Sequence, residues 1–161
     1  MSSVRRPEGK VKKGKLQMEK RDLTIERLIQ MPTNQAICRF VSQYGPSAHP
    51  DDVEELRIAC SGLPPHPEYC PNPQRHAYVI RYTNSDVIFA AVFGMNCLLF
   101  RLPQDKMSEA AAEGGHQFHS LPQEWVAFNP FPEGSYLDVR RKQLKRWCEV
   151  AYLNASKSQE D

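Results

Sequence analysis

Three short hydrophobic runs in the middle of the chain limit its fold more than any other feature. They cover residues 76–83 (HAYVIRYT), 87–93 (VIFAAVF) and 97–102 (CLLFRL), and are rich in β-branched and aromatic residues. The separators read NSD and GMN, which is turn chemistry that joins antiparallel neighbours. We therefore predict a three-stranded meander. Side chains alternate along its first strand, so one face holds Tyr78, Ile80 and Tyr82, and the other holds Val79 and Arg81.

Hydrophobic periodicity predicts three helices before these strands. They cover Met18 to Gln30, the stretch from Ile37 to Tyr44, and Pro50 to Ser61. A proline suits the first turn of the third helix, and the acidic residues after it suit the positive end of the helix dipole. Five prolines in residues 64–73 remove backbone donors, so we expect a stiff surface loop there, with neither a helix nor a central strand.

The C-terminal part adds a helix, a strand and a long helix. Helix formers fill Gln104–Glu113, and alternation over Glu124–Asn129 predicts a fourth strand. The longest helix is expected from Tyr136 to about Ala155, with one face formed by Leu137, Leu144, Trp147, Cys148 and Ala151. The fold class is therefore α+β: N-terminal helices, an antiparallel sheet of about four strands, and a long C-terminal helix packed against it.

Charge is unevenly distributed over the 161 residues. The chain has a formal net charge of +2, but residues 1–21 hold eight basic and two acidic residues, so residues 22–161 carry a net negative charge. We expect residues 1–15 to form a flexible basic arm, residues 16–156 a single α+β domain, and residues 157–161 a tail.

Two basic segments, residues 10–15 and 140–146, have the density of positive charge that binding to nucleic-acid phosphates requires. They predict a tentative nucleic-acid-binding surface formed by Lys10, Lys12, Lys13, Lys15, Arg140, Arg141, Lys142, Lys145 and Arg146. A solvated outer face of an amphipathic helix would show the same pattern, and no helix-turn-helix, zinc-finger or RNA-recognition motif indicates base readout.

Aromatic residues in and just after the fourth strand suggest a protein partner instead. Trp125, Phe128 and Phe131 form the tentative partner-binding region, although burial in the core would equally explain Trp125 and Phe128. Aromatic content argues against disorder, and no apolar stretch approaches the length of a membrane helix. The basic N-terminus is not followed by the apolar region of a secretory signal, so we expect no such signal. We expect a cytoplasmic, non-enzymatic binding or regulatory module that contacts a protein partner, with no membrane association.

The residues that could carry chemistry do not form a recognised motif. Five dispersed cysteines lack a Cys-x-x-Cys pair and are expected to be reduced, buried thiols. The set Cys60, His66, Cys70 and His76 matches no short zinc-ligand spacing, and the His116/His119 pair lacks a further ligand. With no phosphate loop, dinucleotide fingerprint or nucleophile elbow, we expect no metal, no cofactor and no enzyme. An enzyme whose site assembles from distant residues is the second alternative, after nucleic-acid binding.

The order of segments after Asp86 resembles small bacterial proteins of the TfoX N-terminal and YjbR-like group. In that group an "IFA" strand, a strand that ends on "LP", a short Ala/Glu/Gly-rich helix, an "EWV" strand and a C-terminal helix follow one another. The matching pieces are Val87-Ile88-Phe89-Ala90, Leu98 to Pro103, Ala110 to Gly115, Glu124-Trp125-Val126 and Trp147 to Tyr152. The resemblance covers about residues 76–155. It implies a shared α+β core and a regulatory or nucleic-acid-related role, although the pieces are core-forming residues that indicate fold more than function.

Overall fold

The computed structural model describes residues 23–43, 47–71 and 77–157. The helical segments before the sheet are residues 23–28, a 3-10 turn at Pro32–Asn34, helix α1 (Gln35–Gln43) and helix α2 (Pro50–Cys60). They confirm the three helices predicted from hydrophobic periodicity, within the part of the chain that the structure describes. Residues 18–22 and Tyr44 lie outside that part, as do the predicted arm at residues 1–15 and residues 158–161 of the predicted tail.

One antiparallel sheet follows, and within the described ranges its five strands lie side by side in sequence order. They are β1 (Glu68–Tyr69), β2 (Val79–Tyr82), β3 (Ile88–Val92), β4 (Leu98–Arg101) and β5 (Trp125–Phe128). The predicted meander is therefore confirmed as β2, β3 and β4, and the fourth predicted strand is β5. The tight turns between the strands contain residues with positive φ, including Asn96 at 57°.

Strand β1 was not predicted, and it raises the strand count from about four to five. It lies inside the proline-rich loop, where Glu68 pairs with Arg81 and Tyr69 pairs with Ile80 of β2. The preceding proline lacks a donor, but the carbonyl of Pro67 accepts a hydrogen bond from the Tyr82 N–H at 3.3 Å. An edge strand tolerates such residues because only one of its sides pairs with a neighbour.

The remaining elements also follow the predicted α+β order. A 3-10 turn at Gln104–Lys106 leads into helix α3 (Met107–Ala112), and helix α4 (Leu137–Lys157) completes the described chain. Both helices confirm the segments predicted for them, with bounds that differ by a few residues.

The sheet lies between two helical layers, so both of its faces are buried. On one face Phe100 and Phe128 pack with Leu56 of α2 and Trp147 of α4. The opposite face carries Ile80, Leu99 and Trp125 and packs against residues 23–28 and α1, through Leu28, Ile37 and Phe40. The alternation predicted for β2 is confirmed, because Tyr78, Ile80 and Tyr82 share the second face and Val79 lies on the first.

A β-bulge interrupts the pairing of β2 with β3. Arg81 pairs with Ala90 whereas Tyr82 pairs with Ile88, so Phe89 is the extra residue of β3. The Phe89 ring contacts the rings of His66 and Tyr152, each with centroids 5.2 Å apart. The bulge thus brings the proline-rich loop, β3 and α4 together over one end of the sheet.

Candidate functional site

Arg140, which we expected to contact nucleic acid, lies in the interior. Its side chain is almost fully buried, and its Nε donates to the carbonyl of Asn129 at 2.9 Å. Its Nη1 donates to the carbonyl of Glu113 at 2.8 Å and to the side-chain oxygen of Gln143 at 2.9 Å. The guanidinium lies over the Phe128 ring at 5.6 Å, and burial lowers its pKa. The expectation is corrected for this residue, because its donors are directed at the fold and not at solvent.

Two further cations of α4 are held by carboxylates. Arg141 forms a fork with Glu55, in which Nε lies 2.9 Å from Oε1 and Nη2 lies 2.8 Å from Oε2. Arg146 pairs with Glu109 at 2.9 Å. The other predicted cations of the helix, Lys142 and Lys145, are exposed and form no ion pair among the described residues. Lys10, Lys12, Lys13 and Lys15 lie outside the described residues, so a surface shared by the two basic segments stays a prediction.

The aromatic residues predicted to bind a partner divide between core and surface. Trp125 and Phe128 are fully buried, and Phe128 stacks on Trp147 with centroids 5.7 Å apart. Both belong to β5, whose two faces are covered by helices, so neither can form a partner surface and the expectation is corrected for them. Phe131 lies beyond the strand and is 41% exposed. Only this member of the predicted set is available to a partner.

A groove of about 300 Å³ opens where β5 passes into α4. We call it the Phe131 groove; it is lined by Pro130, Phe131, Pro132, Ser135, Leu137 and Arg140. The two prolines end β5 because they cannot donate to a sheet neighbour. The Phe131 N–H donates to the Asn129 side chain at 2.8 Å, and the Ser135 N–H donates to the Pro132 carbonyl at 3.3 Å. Local hydrogen bonds and the buried Arg140 therefore shape this groove.

Exposed apolar side chains lie close together in sequence around the start of α4, where Leu137 lines the Phe131 groove. Tyr136 is 81% exposed, Leu137 40% and Val139 51%. Leu137 was predicted on the buried face of the last helix; this is corrected, because the buried residues of α4 begin only at Arg140. The only acidic residues of the segment 130–140 are Glu133 and Asp138, and both are also exposed. The signal that sequence reasoning missed is this run of apolar residues immediately before the buried stripe of the helix begins.

A second cluster lies on the α2/α4 face of the sheet and brings together Cys60, His66, Arg81 and Cys148; we call it the thiol cluster. The Sγ atoms of Cys60 and Cys148 are 3.1 Å apart although 88 residues separate them in sequence. Arg81 Nη1 donates to His66 Nε2 at 3.1 Å, and His66 Nδ1 lies 2.8 Å from the Pro64 carbonyl. Because a guanidinium only donates and a carbonyl only accepts, this geometry describes a neutral imidazole that carries its proton on Nδ1.

The pKa values of the two thiols in this cluster are shifted in opposite directions. The hydrogen bond from Cys148 stabilises a thiolate at Cys60 against the effect of burial, and His66 and the charge of Arg81 add to it, which lowers the pKa of Cys60 to about 6. The same hydrogen bond and burial raise the pKa of Cys148 well above its ordinary value. For His66, the hydrogen bond with Cys60 raises the pKa and outweighs the opposing effects of burial and Arg81. One thiol is thus activated while its neighbour holds a proton.

The other buried thiols are not activated, and the other candidate ligands form no metal site among the described residues. Burial alone raises the pKa of Cys38 to about 11, and burial together with Asp52 raises that of Cys97 to about 12. Of the four residues that the sequence analysis rejected as a zinc site, His66 lies beside Cys60, Cys70 is half-buried and His76 lies outside the described residues. No group of three histidine, cysteine or acidic side chains arranged to hold a metal ion occurs in the part of the chain that the structure describes.

Comparison of the chain with protein-family models, with curated proteins and with solved structures gave no match, so the family resemblance stays a prediction. Among the described residues, none of the helices combines the length and the apolar character required to cross a membrane.

Proposed function

We propose that this chain is a small non-enzymatic binding module that recognises a protein segment through the Phe131 groove. The observation that carries the proposal is that Phe131 and Leu137 are exposed and line one groove, with the exposed Tyr136 and Val139 close to them in sequence. Scattered exposed apolar residues are ordinary on a soluble protein, whereas a contiguous apolar patch marks an interaction site. The role expected from the sequence is kept, but the surface moves from the buried residues of β5 to the segment that follows them.

Hydrogen bonds within the chain fix the shape of the groove. Its wall includes Arg140, which is hydrogen-bonded to Asn129 and Glu113, and one rim is held by the bond between Phe131 and Asn129. A site with such fixed geometry requires little ordering on association, so more of the contact energy contributes to affinity.

Charge indicates the chemistry of the partner. Glu133 and Asp138 are exposed on the segment, and its one basic residue, Arg140, is buried. An apolar anchor residue would fill the groove, and lysine or arginine residues on either side of the anchor would lie against these carboxylates. We therefore expect a partner segment with a large apolar residue flanked by basic ones, because complementary charge favours both specificity and the rate of association.

A random peptide display library selected against the full chain tests this proposal. We expect the enriched peptides to share an apolar anchor with basic flanks, and to bind Leu137→Ser about tenfold or more weakly. Leu153→Ser is the matched control, because Leu153 is 59% exposed on the same helix but does not line the groove. Enriched peptides without this pattern, or equal loss of binding in both variants, would contradict the proposal.

Nucleic-acid binding remains the alternative proposal, supported by Lys142, Lys145 and the basic residues of segment 1–15. Its support is weaker than the sequence suggested, since Arg140 is buried and Arg141 and Arg146 are paired with carboxylates. Titration with duplex DNA and with RNA over a range of salt concentrations tests it. Each neutralised phosphate adds about 0.9 to the logarithmic salt slope on duplex DNA. A regulatory role, which the resemblance to the TfoX and YjbR-like group implies, is compatible with either form of binding.

A further inference from the structure

We propose that Cys60 and Cys148 are a redox-active pair that a small hydroperoxide converts into a reversible intramolecular disulfide. The site does not depend on the Phe131 groove, so it stands or falls separately from the proposed binding function.

The geometry of the two sulfurs carries the proposal. Cys60 ends α2 and Cys148 lies within α4, and their Sγ atoms are 3.1 Å apart in the buried layer between these helices and the sheet. A disulfide requires about 2.05 Å between sulfurs, so the atoms have to approach by only about 1 Å. Cys38 and Cys97 are buried on the opposite face of the sheet from this pair.

The polar neighbours explain why Cys60 reacts first. A buried thiolate is unfavourable, and the last residue of a helix faces the negative end of its dipole, so Cys60 requires compensating charge. Arg81 supplies this charge from β2, and its Nε has no hydrogen-bond partner among the described residues. The carboxylate of Glu68 pairs with Arg81 Nη2 at 2.9 Å. The remaining charged group near the pair, Glu149, opposes ionisation of Cys148.

The reaction proceeds in two balanced steps. The Cys60 thiolate attacks one oxygen of the hydroperoxide; an S–O bond forms, the O–O bond breaks, and the released hydroxide or alkoxide takes up a proton. The sulfur of Cys148 then attacks the sulfenic sulfur of Cys60, so that an S–S bond forms and the S–O bond breaks. The oxygen leaves as water with the proton of Cys148. A dithiol reductant reverses the change by thiol–disulfide exchange.

Access determines the class of oxidant. Cys60 is 3% exposed and Cys148 is fully enclosed. A bulky disulfide such as oxidised glutathione has to bring its own sulfur into line with the attacked thiolate, whereas hydrogen peroxide is only slightly larger than water. We therefore expect hydrogen peroxide to oxidise the folded chain much faster than oxidised glutathione does.

Peptide mapping of the full chain under non-reducing conditions tests the proposal. The chain is reduced, treated with a chelator, exposed to hydrogen peroxide and then alkylated. We expect a Cys60–Cys148 disulfide that a dithiol removes, and in Cys148→Ala a sulfenic acid on Cys60 that a dimedone reagent traps. Cys97→Ala is the matched control and should form the same disulfide at the same rate.

The pH profile gives a readout that a structural role alone would not produce. The oxidation rate should rise with a midpoint near pH 6, where Cys60 ionises, and His66→Asn should move that midpoint upward. Oxidation of Cys38 or Cys97 as fast as Cys60 in the folded chain would overturn the proposal. So would a disulfide that appears only in urea, or one zinc ion per chain that protects Cys60 before the chelator is added.

Discussion

Replacing Arg140 with Met is expected to destabilise the fold strongly. The methionine keeps an unbranched apolar stem over the Phe128 ring but removes every donor of the guanidinium. The carbonyls of Asn129 and Glu113 and the side chain of Gln143 then lose their charged partner. Because Arg140 is only 4% exposed, water has little access to replace these bonds.

The magnitude follows from the number and kind of these bonds. Hydrogen bonds to a charged group contribute about 1.5–3 kcal/mol each, and removal of the buried charge recovers part of that loss. We expect a decrease in the free energy of unfolding of about 3–4 kcal/mol. For a domain of this size the melting temperature falls by about 2–4 °C per kcal/mol, so the decrease should be about 6–16 °C.

Urea unfolding followed by circular dichroism measures the effect. Lys142→Met is the matched control, because Lys142 is exposed two residues away and the two helix propensities are similar. That control should change the free energy of unfolding by less than about 0.5 kcal/mol. Equal stability of the two variants would refute the interior role of Arg140. Weaker nucleic-acid binding by Arg140→Met with unchanged stability would place its side chain at the surface after all.

Two further predictions concern stability. Gly115→Ala should destabilise by about 1–3 kcal/mol in thermal unfolding, since its Cβ would lie 2.7 Å from Val126. Gly62→Ala should be tolerated, because its Cβ would meet the flexible end of a lysine and, at ordinary van der Waals distance, a glutamate oxygen. Equal effects of the two substitutions would contradict this. Burial raises the pKa of Glu68, but the hydrogen bond from Arg57 and a second arginine outweigh burial and lower the pKa overall. The ionised Glu68 therefore stabilises the fold at neutral pH, and this stabilisation is lost as the pH falls through the lowered pKa. The difference in melting temperature between neutral and acid pH should therefore be smaller for Glu68→Gln than for the unchanged chain.

The order of helices and strands could be predicted because local pattern and tertiary burial agree along most of the chain. The meander has strand runs separated by turn residues, and β2 alternates as expected between the two faces of the sheet. The exception is β1, where Glu68 and Tyr69 lie among prolines. Their pairing depends on β2, and no local pattern can show which edge of a sheet is free to pair.

The exposure of single residues is harder to predict from the sequence than the order of elements, although the helical periodicity does place Arg140 on the buried face of α4. Arg140 lies four residues before Leu144 and so falls on the same stripe as Trp147 and Cys148. A cation on an apolar stripe indicates a buried, hydrogen-bonded guanidinium as readily as a phosphate contact. Leu137 lies on the same stripe but is exposed, because burial of a stripe ends where the opposing layer ends. Position in the fold, and not residue type, separates these two cases.

The thiol cluster shows most clearly what a sequence alone does not contain. Cys60 and Cys148 each lie on the apolar face of their own helix, so local pattern correctly predicts two buried thiols. Their chemistry depends on α2 and α4 packing on the same face of the sheet, which brings together sulfurs that are 88 residues apart. The polar neighbours come from still other elements: His66 from the proline-rich loop and Arg81 from β2. The prolines that make the loop unsuitable for a helix also restrict its backbone, which favours a fixed position for His66 beside the thiols. A feature that indicates only a stiff connector in the sequence thus becomes, in the fold, the support for a thiol whose pKa is lowered by its neighbours.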